Sequence, residues 1–285
     1  MIEKIVRAIE DHPISDGLAE AVQPAVKATL NAIGTPAKDA LHGKWLGHPL
    51  HPALIAMPIG AWSLAFVCDV VELVNRERST TADNAITFGV ATALVSAVAG
   101  LADWSETDGR AKKLGVVHGT MNVVATALYI SSLATRKRSR SKGIALSLAA
   151  FGIANASAYL GGHLSFGEQI GVRHTDPPSE DQPENFVDVL AENELVENKL
   201  VRVVAGDVAI LLVRTAGKIH AIAETCTHLG GPLAEGKLEG TSVRCPWHGS
   251  RFCLEDGSAL EGPTTFPVRT FDIRVQNGRV EVRAS

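Results

Sequence analysis

The chain has 285 residues, 46% of them hydrophobic and only 5% aromatic, and a formal net charge of -4. That length leaves room for two ordinary domains, and scattered Lys and Arg under a small acidic balance exclude the basic face that nucleic-acid binding needs. No nucleic acid is expected as a partner. Two of the four cysteines sit inside one motif and Cys68 lies far away in an apolar segment, which argues against a disulfide framework.

Residues 2–33, within an N-terminal region taken as 1–44, carry apolar residues at helical spacing, with Ile2, Ile5, Val6 and Ile9 on one face. Pro13 and Pro24 are expected to break this stretch into short amphipathic surface helices. The opening residues lack the charged, apolar and small-residue regions of a secretory signal and contain no twin arginine, so no cleaved leader is expected.

Residues 45–174 read as a four-helix transmembrane domain. Charge almost disappears from four segments, 52–68, 85–102, 114–135 and 143–162, each close to the twenty or so residues that cross a bilayer. Buried helices of a soluble bundle keep a polar stripe, and these have almost none. Their many Gly, Ala and Ser residues suit close helix contact in lipid. With four crossings, His48, His51, Asp103, His118 and His163 fall at one membrane face, while Asp69, Glu72 and a basic run of Arg136, Lys137, Arg138, Arg140 and Lys142 fall at the other. A faint repeat is also visible, since each helix pair opens with His-Pro or His-Gly and closes on a small-residue run. Two readings of the histidines stand side by side: His51, His118 and His163, with His48 as a further candidate, ligate a haem b or contact a quinone, or they satisfy helix ends in the headgroup region. The segment "GHPLHP" and the "GLADW" that ends the second span resemble an uncharacterised four-helix bacterial membrane family, a resemblance that implies no mechanism.

Residues 175–185, "TDPPSEDQPEN", have three prolines, four acids and nothing to bury, and read as a linker. Beyond it, short alternating runs such as "KLVRVVA" and "GKIHAIA", and Asn277-Gly278 between two alternating strands, predict an all-β unit over 186–285. The expected fold class is therefore multi-domain, an all-α transmembrane bundle followed by an all-β domain.

Within this unit "CTHLGG" and "CPWHGSRF" place Cys226, His228, Cys245 and His248 as a Cys-x-His and a Cys-x-x-His pair. Zinc sites usually pair like with like on each arm, whereas one Cys and one His per arm suits a two-iron cluster clamped from two sides. With these motifs and Gly262-Pro263 downstream, residues 186–285 resemble the Rieske [2Fe-2S] domain. The resemblance implies that Cys226 and Cys245 hold the buried iron, that His228 and His248 hold the exposed one, and that the Ser250 hydroxyl bonds a cluster sulfur. The quinol-oxidising branch of that family adds a disulfide between its ligand loops and a tyrosine hydroxyl, where this chain has Gly231, Trp247 and Phe252. The look is closer to a ferredoxin of the ring-hydroxylating dioxygenase type, with a reduction potential below the top of the Rieske range of roughly -150 to +300 mV. Cys253 reads as a packed free thiol.

The resulting expectation is a membrane-anchored electron-transfer protein that passes single electrons to or from a membrane or peripheral oxidoreductase. Its partners would be the lipid bilayer and a redox protein. The alternative is a quinone- or haem-linked oxidoreductase that uses the whole chain, and a third reading makes the cluster a structural clip. An oxygenase is disfavoured because no further domain for a mononuclear iron fits. The membrane is read as a bacterial inner membrane. Positive charge in "TRKRSRSK" favours that loop inside, but Lys38, Lys44, Arg110, Lys112, Lys113 and Arg173 oppose it, and the Rieske domain is placed on the cytoplasmic side.

Overall fold

The structure, a computed structural model, describes residues 6, 9, 12–174 and 183–285. Ile2 and Ile5 of the N-terminal face, and residues 175–182 of the expected linker, lie outside the described residues. The chain folds as two compact units, one running up to Ala37 and over Pro49–Ile170, the other formed by Lys38–His48 and Gly171–Ser285.

In the first unit, helix α1 (Pro13–Ala32) starts with proline at its first turn, where no amide hydrogen is missed, and the His12 side chain accepts from Ile14 N at 3.3 Å. Pro24 does not break it, contrary to the sequence expectation. The carbonyl that Pro24 leaves unbonded belongs to Glu20, an exposed position. Helix α2 (Thr35–His42) passes into the second unit at Lys38, and the first unit resumes with α3 (Leu50–Leu54), α4 (Ala56–Asn75), α5 (Thr81–Ser105), α6 (Gly109–Arg136) and α7 (Arg140–Phe166). The stretches Leu50–Asn75, Thr81–Ser105, Gly109–Arg136 and Arg140–Phe166 are long and apolar enough to cross a membrane.

Their packing is inverted relative to a water-soluble bundle. Ala65, Ala82, Ala99, Ala125, Ala150, Ser96, Ser132, Ser147 and Ser157 are buried, while Val67, Val74, Phe88, Val95, Val123 and Ile130 are exposed. Small residues let helices approach and large ones meet the surroundings, which is the arrangement that hydrocarbon rewards. Inside, Trp62 stacks on Tyr129 with ring centres 4.5 Å apart.

One end of the bundle holds charges. Arg136, buried on α6, donates to Asp69 on α4, to Asp83 on α5 at 2.9 Å, to Ser147 Oγ on α7 at 2.9 Å and to Ser132 Oγ at 3.0 Å. Arg140 grips both oxygens of Glu72 at 2.7 Å, both of Asp83 at 2.7 Å, and Ser79 O at 2.7 Å. Two guanidinium groups thus link all four long helices. Two members of the basic run that the sequence assigns to a loop are structural. Arg136→Met strips Asp69 of its counter-charge and is expected to cost about 3–5 kcal/mol, as breaking a buried pair does. Unfolding in detergent should show that loss and its recovery in the Arg136→Met, Asp69→Asn double variant.

Among the described residues of the second unit, ten strands form three antiparallel sheets, with strand orders β1-β10-β9, β2-β3-β4 and β5-β6-β7-β8. The strands are β1 (Val187–Ala191), β2 (Val201–Ala205), β3 (Val208–Thr215), β4 (Lys218–Ala223), β5 (Lys237–Glu239), β6 (Ser242–Arg244), β7 (Arg251–Cys253), β8 (Ala259–Glu261), β9 (Phe271–Gln276) and β10 (Arg279–Ala284). Strand β3 explains the continuous apolar run "AILLV". Leu211 and Val213 face one core with Val243, Phe252 and Leu254, whereas Ile210 and Leu212 face the other with Val203, Val280 and Val282. A strand covered on both faces has no reason to alternate. The β9–β10 turn is the expected hairpin, with Asn277 and Gly278 both left-handed at φ 52° and 71°.

Candidate metal centre

Two loops of the β unit are built on one plan. After β4, Cys226 N donates to Gly231 O at 2.8 Å and Gly230 N returns to Cys226 O at 3.0 Å. After β6, Cys245 N donates to Ser250 O at 2.8 Å and Gly249 N returns to Cys245 O at 3.2 Å. Each loop turns back through a glycine four residues after its cysteine, Gly230 and Gly249, both at φ 77°. Side chains with a Cβ seldom adopt that left-handed conformation.

A third loop, Gly262-Pro263-Thr264, ties the two together. Thr264 N donates to Ser250 Oγ at 3.2 Å, and the Thr227 and Thr264 hydroxyls meet at 2.6 Å. Gly231 is a position at which the sequence departs from the quinol-oxidising branch that it resembles. A Cβ there would lie 2.8 Å from Cys245 Sγ and 3.1 Å from the Trp247 ring, so the bare backbone makes room for both. Phe252 is fully buried, and Cys253 is a free, half-buried thiol.

The four predicted side chains come together two and two. The Cys226 and Cys245 thiols share a hydrogen bond, which pushes Cys226 up, as burial also does, and holds Cys245 down at about 7. The His228 and His248 rings lie 4.9 Å apart at 82°. Among the described residues no three His, Cys, Asp or Glu side chains converge as a single ion would require. His228 Nδ1 is buried with no hydrogen-bond partner. Burial first, and then the nearness of His248, His42, His174 and Lys38, holds that imidazole at about 3, so it stays neutral with a lone pair to offer. A sulfur pair, an imidazole pair and an orphaned ring nitrogen fit a binuclear cluster with unlike ends.

The sequence reading did not anticipate that Lys38–His48, assigned to the N-terminal helices and the transmembrane domain, joins this unit. Asp39 Oδ1 accepts from Gly262 N at 2.9 Å, Lys44 donates to Leu260 O, and a Cβ on Gly262 would come within 3.7 Å of the His42 ring. His42 is only 2% exposed. This strap therefore pins the third loop and adds a histidine beside His228. No local pattern announces it, because its partners lie more than two hundred residues along the chain.

The membrane histidines divide differently. His51 and His118 lie 6.5 Å apart between ring centres. His163 stands at the end of its own helix with Nε2 3.4 Å from Glu168 Oε1, and no third metal-binding side chain joins the pair among the described residues. Asp39→Ala should remove a charge-assisted hydrogen bond of about 1.5–3 kcal/mol and speed amide exchange at Gly262 roughly ten- to a hundredfold. Unchanged exchange at Gly262 would show that the strap does not hold the loop.

Residues 185–272 match the Rieske [2Fe-2S] domain, and residues 47–174 match a family described as a predicted membrane protein, DUF2231. The ferredoxin component of the 2,4-dinitrotoluene dioxygenase system of Burkholderia sp. (strain RASC) is 33% identical over 100 residues, 35% of this chain and 96% of that protein. The ferredoxin component of the naphthalene 1,2-dioxygenase/salicylate 5-hydroxylase systems of Ralstonia sp is 31% identical over the same shares. Human apoptosis-inducing factor 3 is 32% identical over 142 residues, 48% of this chain but 23% of its own length, so the chain spans less than a quarter of that relative. The paired loops and these relatives agree: the chain belongs to the Rieske [2Fe-2S] family, with a membrane domain of the DUF2231 kind preceding the Rieske domain.

Proposed function

We propose that this chain is a membrane-anchored electron carrier in which Cys226 and Cys245 bind one iron of a [2Fe-2S] cluster and His228 and His248 bind the other. The two-and-two arrangement of these side chains on matched loops is the observation that carries the reading. When bound, such a cluster supplies one-electron chemistry. Cys226 and Cys245, 1% and 4% exposed, hold the inner end away from water, and the partly exposed histidines hold the outer end. The Ser250 hydroxyl is fully buried and accepts from Thr264 N, which leaves its own proton to donate toward a cluster sulfur. Trp247, 56% exposed beside His248, offers an aromatic surface to a docking protein. The relatives named as ferredoxin components of dioxygenase systems support a redox protein as that partner.

A second reading gives the membrane half its own redox group, a haem or a quinone, and makes the whole chain an oxidoreductase. The pairing of His51 with His118 favours it.

The Rieske domain is proposed to face the cytoplasm. Arg136 and Arg140 are committed to Asp69, Asp83 and Glu72, which leaves Lys137, Arg138 and Lys142 as the exposed charge of that loop. The weight of the positive-inside argument for the loop falls accordingly.

Replacing either His228 or His248 by Ala should abolish the paramagnetic signal of the reduced cluster in the purified full chain, and an unchanged signal would refute the ligand assignment. A cysteine placed at Lys137 should react with an impermeant maleimide added to intact cells; protection there, with labelling only after lysis, would put the Rieske domain outside.

A further inference from the structure

The membrane half contains one arrangement that neither anchoring nor the cluster uses. His51, at the start of α3, places Nδ1 2.9 Å from Ser96 O and 3.2 Å from Ser96 Oγ on α5. His118, on α6, places Nδ1 2.8 Å from Ser157 O and 3.0 Å from Ser157 Oγ on α7. One turn beyond each serine is a glycine, Gly100 or Gly161, where a Cβ would lie 2.9 Å from the imidazole. The sequence spells the device twice, as "SAVAG" at 96–100 and "SAYLG" at 157–161. In consecutive helix pairs, then, a serine and a glycine seat one histidine ring.

The chemistry of that seat is specific. A carbonyl oxygen only accepts, so Nδ1 carries the proton in both rings and Nε2 carries the lone pair. Asn122 Nδ2 lies 3.2 Å from His118 Nε2, a hydrogen bond that a metal taking that lone pair would displace. Backing of Nδ1–H by a backbone carbonyl is what metal-ligating imidazoles characteristically have. The two rings so prepared stand 6.5 Å apart between centres and at 84° to each other.

Distance decides among ligands. A quinone held by its two opposite carbonyls needs imidazole nitrogens on the order of 10 Å apart, counting two hydrogen bonds and the ring between them. Two imidazoles sharing one metal, at about 2 Å per bond, have ring centres roughly 6 Å apart. A bare ion would still lack ligands, because no third His, Cys, Asp or Glu side chain joins the pair among the described residues. A metal that brings four ligands of its own, in a macrocycle, needs only two axial ones. A Cβ on Gly119, beside His118, or on Gly162, beside Gly161, would meet no atom within 4 Å, and Gly119 is exposed, so no side chain crowds the outer flank of the His118 helix there.

We propose that His51 and His118 are the two axial ligands of a b-type haem in the membrane domain. This deepens the reading in which the membrane half carries its own redox group and does not depend on the cluster. Ser96 and Ser157 act as positioning residues, and His163 takes no part.

The test is the visible spectrum of the detergent-purified full chain, expressed with haem supply or reconstituted with hemin, before and after dithionite. One haem per chain is expected, with a sharp Soret band and the narrow reduced bands of a six-coordinate, low-spin iron. His51→Gly and His118→Gly should each lose that spectrum, regain it with added imidazole as proof that the helices are folded, and keep the reduced cluster's paramagnetic signal. His163→Ala should keep the haem, and Cys226→Ser should lose the cluster's broad bands while keeping the Soret band, so the two centres fail separately. Wild-type protein that takes up no haem, or haem that survives both histidine substitutions, would overturn the proposal.

Discussion

Inside hydrocarbon a polar group has no water to turn to, and the membrane half of this chain is organised around that constraint. Arg136 is accommodated because α4, α5 and α7 each bring it an acceptor, and the imidazoles of His51 and His118 are accommodated because α5 and α7 each present a carbonyl and a hydroxyl. Every other choice follows from those meetings. Small residues line the inside so that helices can come close enough to satisfy the polar ones, and large apolar side chains are displaced outward. Polar contacts define the two ends of the bundle, and the stacked pair of Trp62 and Tyr129 belongs to the packed core.

The β unit solves a different problem, that of holding sulfur and imidazole pairs at a fixed spacing on loops. It does so by repetition. Each loop closes on itself through the same two backbone hydrogen bonds, so its cysteine is held by the protein alone, and a third loop locks one loop to the other through Thr227, Ser250 and Thr264. The strap adds a fourth piece from a distant part of the chain. Rigid preorganisation of this kind suits a group that must change charge without large movement of its surroundings.

How much of this could be read from the sequence depended on how local each feature is. The two Cys-His loops, the Asn277-Gly278 hairpin and the four long apolar helices are each written in a continuous stretch, and the loops, the turn and the helices stand where those stretches put them. Pro24 was misjudged because a proline rule takes no account of whether the orphaned carbonyl is exposed. Arg136 and Arg140 looked like loop charge because their carboxylates sit on other helices, 53 to 68 residues earlier. The pairing of His51 with His118, and the standing apart of His163, depend on helix rotation, which a faint repeat hints at but does not determine. The third loop showed only through Gly262-Pro263, and the strap gave no signal at all.

That strap has a consequence for how the molecule is made. Asp39 and Gly262 are separated by 223 residues, and Lys44 and Leu260 by 216. Synthesis runs from the N-terminus, so the strap emerges first and all four spans must follow before its partner strand and loop exist. Contacts of such long range are made late, because loop closure must be met before they return any stability. The Rieske fold can therefore be complete in its sheets while one side of its third loop is still uncovered, and the last closure joins a segment made before the four long helices to one made after them.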